Sequence, residues 1–401
     1  MYEDPQLAIW MDDGPVCDWE PQKKFKIECV DDIITTIDFS EADISGPLVP
    51  EIGLLTTLHH LTLASNQFTG SIPTTIGLLT NLRNLDLSQS FLTPSTRTIP
   101  EQLHKLTDIK SIYLDSNGLT GSVPANLLSH MSDLRVLSLA DNGLAGSFPS
   151  GDFHRLTDLS HLNFQKNKFD GAIPVTYKNL PSLKTLDISY NQIQDTWAGL
   201  PPRIEVLNVA GLNIKGAIPN DIRQLSELLE LDISNNALTG ELTPLPPALQ
   251  RLDASNNLFH GLLPLDFPPS LIALYLDHNN WEGSIPEEFA ELMDLDALSL
   301  ANTDLEGYIP LDFPQNVRDM DFRATKIGGP IDPSLCRDDV KIILDCDVPL
   351  GCDDLPCCEF QSDAGKKVRC SSRPEIPPPL EPEEDEDDED EDDDFEDDDE
   401  E

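Results

Sequence analysis

Leu58 to Pro73, LHHLTLASNQFTGSIP, reads as Leu58-x-x-Leu61-x-Leu63-x-x-Asn66-x-Phe68-x-Gly70-x-Ile72-Pro73. The frame returns as LRVLSLADNGLAGSFP from Leu134, LSHLNFQKNKFDGAIP from Leu159, LIALYLDHNNWEGSIP from Leu271 and LDALSLANTDLEGYIP from Leu295. Self-similarity at a period of 20–29 residues with L-x-x-L-x-L-x-x-N is the signature of a leucine-rich-repeat solenoid. Leu61 and Leu63 alternate with polar neighbours, so they take the inward face of a short strand. Asn66 ends that strand, where a buried amide satisfies turn backbone groups. Phe68 and Ile72 turn inward again, Gly70 permits a tight path and Pro73 stops pairing. One coil cannot bury its own apolar face and needs a neighbour on each side.

Working outward, the array opens with a degenerate repeat, Ile34-x-x-Ile37-x-Phe39, with Ala42 in place of Asn. Twelve more have fourth-position residues Leu61, Leu85, Ile112, Leu137, Leu162, Leu186, Leu207, Leu231, Leu252, Leu274, Leu298 and Met320. Eight of the twelve keep the ladder Asn: 66, 117, 142, 167, 191, 236, 257 and 279. Spacings run from 21 to 27 residues, and the longest carries an insertion, Thr93 to Thr98, read as a surface loop. The shorter repeats have Pro201-Pro202, Pro246-Pro247 and Pro268-Pro269, with Pro314 alone in a fourth, where the longer ones suit a helical turn. Proline pairs force extended backbone, so the convex side is expected to thin, and the array to flatten, after about residue 195.

The added Gly-x-Ile-Pro resembles the plant-type extracellular leucine-rich repeat of receptor-kinase ectodomains, receptor-like proteins and polygalacturonase-inhibiting proteins. The resemblance spans roughly residues 34–333. It implies an α/β repeat solenoid: a right-handed superhelix with a parallel concave sheet, a lateral second sheet, flanking Cys caps and a disordered acidic tail. The domains expected are an N-terminal Cys cap at 1–33, the array at 34–333, a Cys-rich cap at 334–370 and a Pro/acidic tail at 371–401. Trp10, Cys17-Asp18-Trp19 and Cys29 resemble the cap that precedes plant-type arrays.

Cys17 and Cys29 precede the array, while Cys336, Cys346, Cys352, Cys357, Cys358 and Cys370 follow it. An even set in flanking modules points to disulfides in an oxidising compartment, with Cys17 bonded to Cys29. Zinc is the rival at Cys352-x4-Cys357-Cys358, but the cluster holds no His and no C-x-x-C, so no metal is expected. The six C-terminal cysteines leave their pairing open.

Acids number 73 against 26 bases, and residues 381–401 hold 19 of the acids with no Lys or Arg. Without that segment the chain is still at −28, which argues against nucleic acid as partner, since phosphate binding needs clustered Lys and Arg. The tail cannot bury apolar area and reads as disordered. The first residues, MYEDPQLAIWMDD, carry neither a basic nor an apolar leader segment, and no run of 18 apolar residues exists. An extracellular or cell-surface location would be reconciled with this start by a mature or truncated chain, or by an anchor upstream of this sequence. No Asn lies in an N-x-[ST] sequon, so no N-linked glycan is expected.

No G-x-S-x-G, H-E-x-x-H, Walker loop or kinase signature occurs, so neither catalysis nor a cofactor is expected. Recognition on the concave face remains. There Tyr113 with Asp115, and Tyr275 with Asp277 and His278, depart from repeat filler, as do Lys166 and Tyr190. Tyr gives a rigid apolar plate with a polar tip, as interface anchors do. The partner expected is a peptide, protein or polysaccharide, neutral or basic because the column is rich in Asp. Alternatives are a secreted inhibitor of a wall-degrading enzyme and an adhesion or matrix protein whose acidic tail gathers cations.

Overall fold

A computed structural model describes residues 17, 25–90, 98–149, 153–195, 197, 199–242, 245–328, 331–332, 335, 340–345, 358–361 and 367–369. The alternation of buried and exposed residues in each repeat builds one long parallel sheet. Fifteen parallel strands run from Ile33–Asp38 to Cys358–Gln361. Lys26–Val30 pairs antiparallel to the first and Lys367–Arg369 antiparallel to the last. The register puts the fourth-position residues in one line, Leu61 against Leu85, Leu85 against Ile112, and so on to Met320 against Ile342. Each of these side chains is buried, so apolar burial fixes the register: a slip of one residue would turn the whole set out to solvent.

The ladder amides join successive turns. Asn66 Nδ2 donates to Phe39 O at 2.8 Å and Leu63 O at 2.9 Å, while its Oδ1 accepts from Ile44 N at 2.9 Å. Asn191 and Asn257 repeat this arrangement. Where Ser90 and Thr303 replace Asn, the hydroxyl still donates to a strand carbonyl, Ser90 to Leu63 O and Thr303 to Leu300 O. The residue just before the ladder position sits at positive φ in turn after turn, from Ser65 to Ala324.

On the convex side the helical component is 3-10 among the described residues, not α. The segments Pro50–Leu54, Thr74–Leu78, Glu101–Lys105, Phe153–Arg155, Val175–Asn179, Asn220–Gln224 and Glu287–Glu291 are three to five residues long. That is too short to offset α-helix nucleation, and 3-10 bonds such as Leu79 N to Ile76 O close them instead. Adjacent turns come so close that a Cβ on Gly77 would sit 2.4 Å from Gln102 O. The proline repeats around Pro201, Pro246, Pro268 and Pro314 form no such helix among the described residues. At the first of them a cleft of about 630 Å³ opens between the neighbouring helical turns, lined by Lys178, Trp197, Asp221 and Gln224.

The second, lateral sheet comes in three runs among the described residues: two strands at 45–69, four at 120–195 and six at 215–327. The stretches between these runs include residues 91–97, 196 and 198, which lie outside the described residues.

A disulfide joins Cys17 to Cys29, fastening the chain onto the first antiparallel strand. At the far end the sheet runs on past residue 333, where the repeat spelling stops, and Lys341–Asp345 pairs with Asp319–Asp321 while burying Ile342 and Leu344. Cys358 opens the fifteenth parallel strand. Trp10, Trp19, Thr93 to Arg97, Cys336, Cys346, Cys352, Cys357, Cys370 and the tail lie outside the described residues. No helix among the described residues is long and apolar enough to cross a membrane.

Candidate functional site on the concave face

The outward positions of the central strands build a continuous row. Parallel pairing sets Asp232 beside Asp253, Asp253 beside Tyr275, and Tyr275 beside Ser299. Two residues earlier, Glu230, Arg251, Ala273 and Ala297 form a second row. Of these, Glu230, Asp232, Arg251, Asp253 and Tyr275 line a shallow depression of about 180 Å³, with Asn208 at one end and Tyr275 at the other. Tyr275 is half-buried, and Ala273, two residues before it on the same strand, is fully buried.

The acidic residues of this face are held from within. Asp232 Oδ1 accepts from Ser234 N at 3.0 Å; Asp253 Oδ1 accepts from Ser255 N at 3.0 Å and Oγ at 2.6 Å. Asp38 with Ser40, Asp86 with Ser88 and Asp187 with Ser189 repeat the pairing. The Ser of the strand is thus an orienting partner, not filler. Burial holds the Asp253 carboxyl above its ordinary range, and Asp232 and Asp277 push it the same way against the bonds from Ser255. Burial likewise raises Asp187 and Asp115.

Asp277 and His278 meet directly beyond the strand that carries Tyr275: His278 Nδ1 lies 2.9 Å from Asp277 Oδ2. Tyr113 is half-buried on Ser111–Tyr113, but Asp115 is occupied, taking Ala140 N at 2.6 Å and the Ser138 hydroxyl. Lys166, Tyr190 and His278 all occupy the left-handed position before the ladder Asn, at φ 51°, 54° and 53°. Tyr190 lies flat over Gly211, where any Cβ would be 2.6 Å from its ring. Lys166, Tyr190 and Tyr113 belong to other turns and do not join the Tyr275 depression. Arg251 and Glu230, absent from the sequence-based set, do. The signal was available in the column one step before the inward Leu, which reads Glu230, Arg251, Ala273. No group of three or more His, Cys, Asp or Glu suited to a metal occurs among the described residues.

This architecture is a leucine-rich-repeat solenoid, a fold ordinarily without catalysis. The family model "Leucine Rich Repeat" matches residues 57–79 and 270–292. The Arabidopsis receptor kinase HAESA ectodomain, solved in complex with an IDA peptide hormone, is 26% identical over 80% of this chain and 56% of that one, at TM-score 0.64. A TDR receptor structure is 26% identical over 81% and 56%, at TM-score 0.58. PEPR1 in its AtPEP1 structure is 26% identical over 85% and 60%, at TM-score 0.55. The chain therefore spans less than two thirds of the length of these receptors. A Leptospira interrogans repeat protein, 24% identical over 81% of this chain and 89% of that one at TM-score 0.61, shares the fold. None of the curated proteins compared matches in sequence. In repeat spelling, lateral sheet and fold the chain is similar to plant leucine-rich-repeat receptor ectodomains.

Proposed function

We propose that this chain is a non-catalytic recognition module that works outside the cell and holds a peptide or protein segment along its concave face. The observation that carries the reading is the row Asp232–Asp253–Tyr275, with Arg251 beside it, on an otherwise regular strand face. Tyr275 supplies an apolar plate, and the oriented carboxylates supply acceptors for backbone N–H groups or a basic side chain. Two receptors of similar fold point the same way: the HAESA structure contains a peptide hormone, and PEPR1 was solved with AtPEP1. The disulfide at Cys17–Cys29 is consistent with an oxidising compartment.

The test is a peptide-array screen with the purified chain, followed by titration of the best peptide. Tyr275→Ala and Asp253→Asn should each weaken binding by about 1–2 kcal/mol, with the unfolding of Tyr275→Ala unchanged by more than a few tenths. Selected peptides that bind both variants like the parent would remove the concave row as the site.

A further inference from the structure

A cleft on the convex side, away from the concave row, has the lining of a ligand site. It is the space of about 630 Å³ between the short helices Val175–Asn179 and Asn220–Gln224, at the repeat that carries Pro201-Pro202. The sequence accounts for the gap in two ways. The residue before the proline is Leu200, whereas two of the later proline repeats have Phe267 and Phe313 there. Those two rings are buried against Phe289, at centroid distances of 5.5 and 6.3 Å, closing their turns onto the helix Glu287–Glu291. Leu200 is shorter and stays half-buried. Gly199 then lies at φ 101°, so close to the preceding turn that a Cβ would sit 2.7 Å from Pro174 O. The loop leans on one neighbour and stands off from the other.

Trp197 and Leu200 pack on the core with one side and line the cleft with the other, and Pro202 adds a ring with no N–H. Polar groups stand at the walls. Lys178, with no ion pair among the described residues, is on one helix; on the other is Asp221, whose Oδ1 accepts from Gln224 Nε2 at 3.1 Å. Trp197 Nε1 is buried with no hydrogen-bond partner, as are Thr176 Oγ1 and Tyr177 OH in the adjoining turn. A buried indole N–H ordinarily finds a partner, and leaving it without one is costly. Trp281 shares that state, but its ring is wholly buried and stacked on Phe259 at 5.8 Å. Trp197 has no ring partner among the described residues, so packing does not account for an indole there; a ring face presented to the cleft does.

We infer that this cleft binds a neutral saccharide, with the C–H face of a sugar ring stacked on Trp197 and its hydroxyls at the walls. A hydroxyl both donates and accepts, so one ring suits Asp221, Gln224 and Lys178 together. An anion meets the Asp221 carboxylate and a chain of formal charge −47, while a cation meets Lys178. The volume lies within the ~300–1,000 Å³ usual for small-ligand sites. Because the cleft is on the convex side, a saccharide there and a partner on the concave face do not exclude one another.

The test is calorimetric titration of the full chain with neutral β-linked tri- to hexasaccharides of glucose, xylose, mannose and N-acetylglucosamine. At least one series should bind and perturb tryptophan fluorescence, while an anionic oligogalacturonate of the same length should not. Trp197→Ala should weaken that binding by about tenfold or more. Leu200→Phe, which fills the cleft with the residue the fold uses at positions 267 and 313, should do the same while the melting temperature is held or raised. Binding by none of the four series overturns the proposal. So does equal binding of the oligogalacturonate, or binding that survives both Trp197→Ala and Leu200→Phe. A hexaproline peptide that binds where saccharides do not, and is lost in the same variants, would assign the cleft to an extended peptide instead. None of these results bears on peptide binding at Tyr275.

Discussion

Removing one ladder amide should divide the solenoid. Asn117 is fully buried; its Nδ2 donates to Leu87 O at 2.8 Å and Leu114 O at 2.9 Å, and its Oδ1 accepts from Ser90 N at 2.8 Å. Asn117→Ala leaves those three backbone groups without their partner in a dry turn. At about 1–3 kcal/mol for each unsatisfied buried group, with some relief from entering water, the loss is about 3–5 kcal/mol. In a stack where each turn contacts only its neighbours, that loss falls on one interface and not on the whole. The assay is urea unfolding followed by hydrogen exchange read separately for residues 25–90 and 134–345. The parent should lose protection in both together; the variant should lose the N-terminal turns at lower urea, with the C-terminal turns shifted much less. Asn126→Ala, an exposed side chain bonded only to Glu101 among the described residues, serves as control and should change little. If Asn117→Ala costs under about 1 kcal/mol, or both halves shift equally, the ladder is not the element that couples these turns.

Gly77→Ala should destabilise by about 1–3 kcal/mol, because the new methyl group meets the Gln102 carbonyl of the next turn; thermal melting of the variant checks this. Asp253 has a raised carboxyl pKa in the folded chain, so its ionisation disfavours folding: the stability it lends below the unfolded value is lost as pH rises through the folded value. The melting temperature of Asp253→Asn relative to the parent should therefore climb as pH rises from the ordinary carboxylate range toward neutrality, and a falling difference would contradict the assignment. Reduction of Cys17–Cys29 should loosen Lys26–Val30 from Ile33–Asp38 first, seen as early exchange of those amides while the central strands stay protected.

Much of this architecture was legible because each inward residue has a fixed job. Leu61, Leu85 and Ile112 must stack on one another, so their spacing alone gives the sheet and its register. The extension past residue 333 was not legible, because Lys341 to Asp345 pairs through its backbone and buries Ile342 and Leu344 without the repeat spelling. The Tyr275–Asp277–His278 group could be read along one strand, where neighbours in sequence are neighbours in space. Arg251 and Asp253 could not, since they meet Tyr275 only through pairing across 22 or more residues. The engagement of Asp115 was hidden for the same reason: Ser138 lies 23 residues on. Nor did the spelling mark Lys166, Tyr190 and His278 as left-handed, because that position accepts Ser, Asp, Asn, Lys, Tyr and His alike.

From residue 215 to residue 327 each turn is tied to the next on two sides, by the concave sheet and by the six lateral strands. Bending a stack that is stitched on two sides stretches one row of hydrogen bonds; bending it where only one side is stitched stretches none. The strands around Tyr275 lie well inside that six-strand run, so a load applied at the two ends of the stack leaves their shape intact.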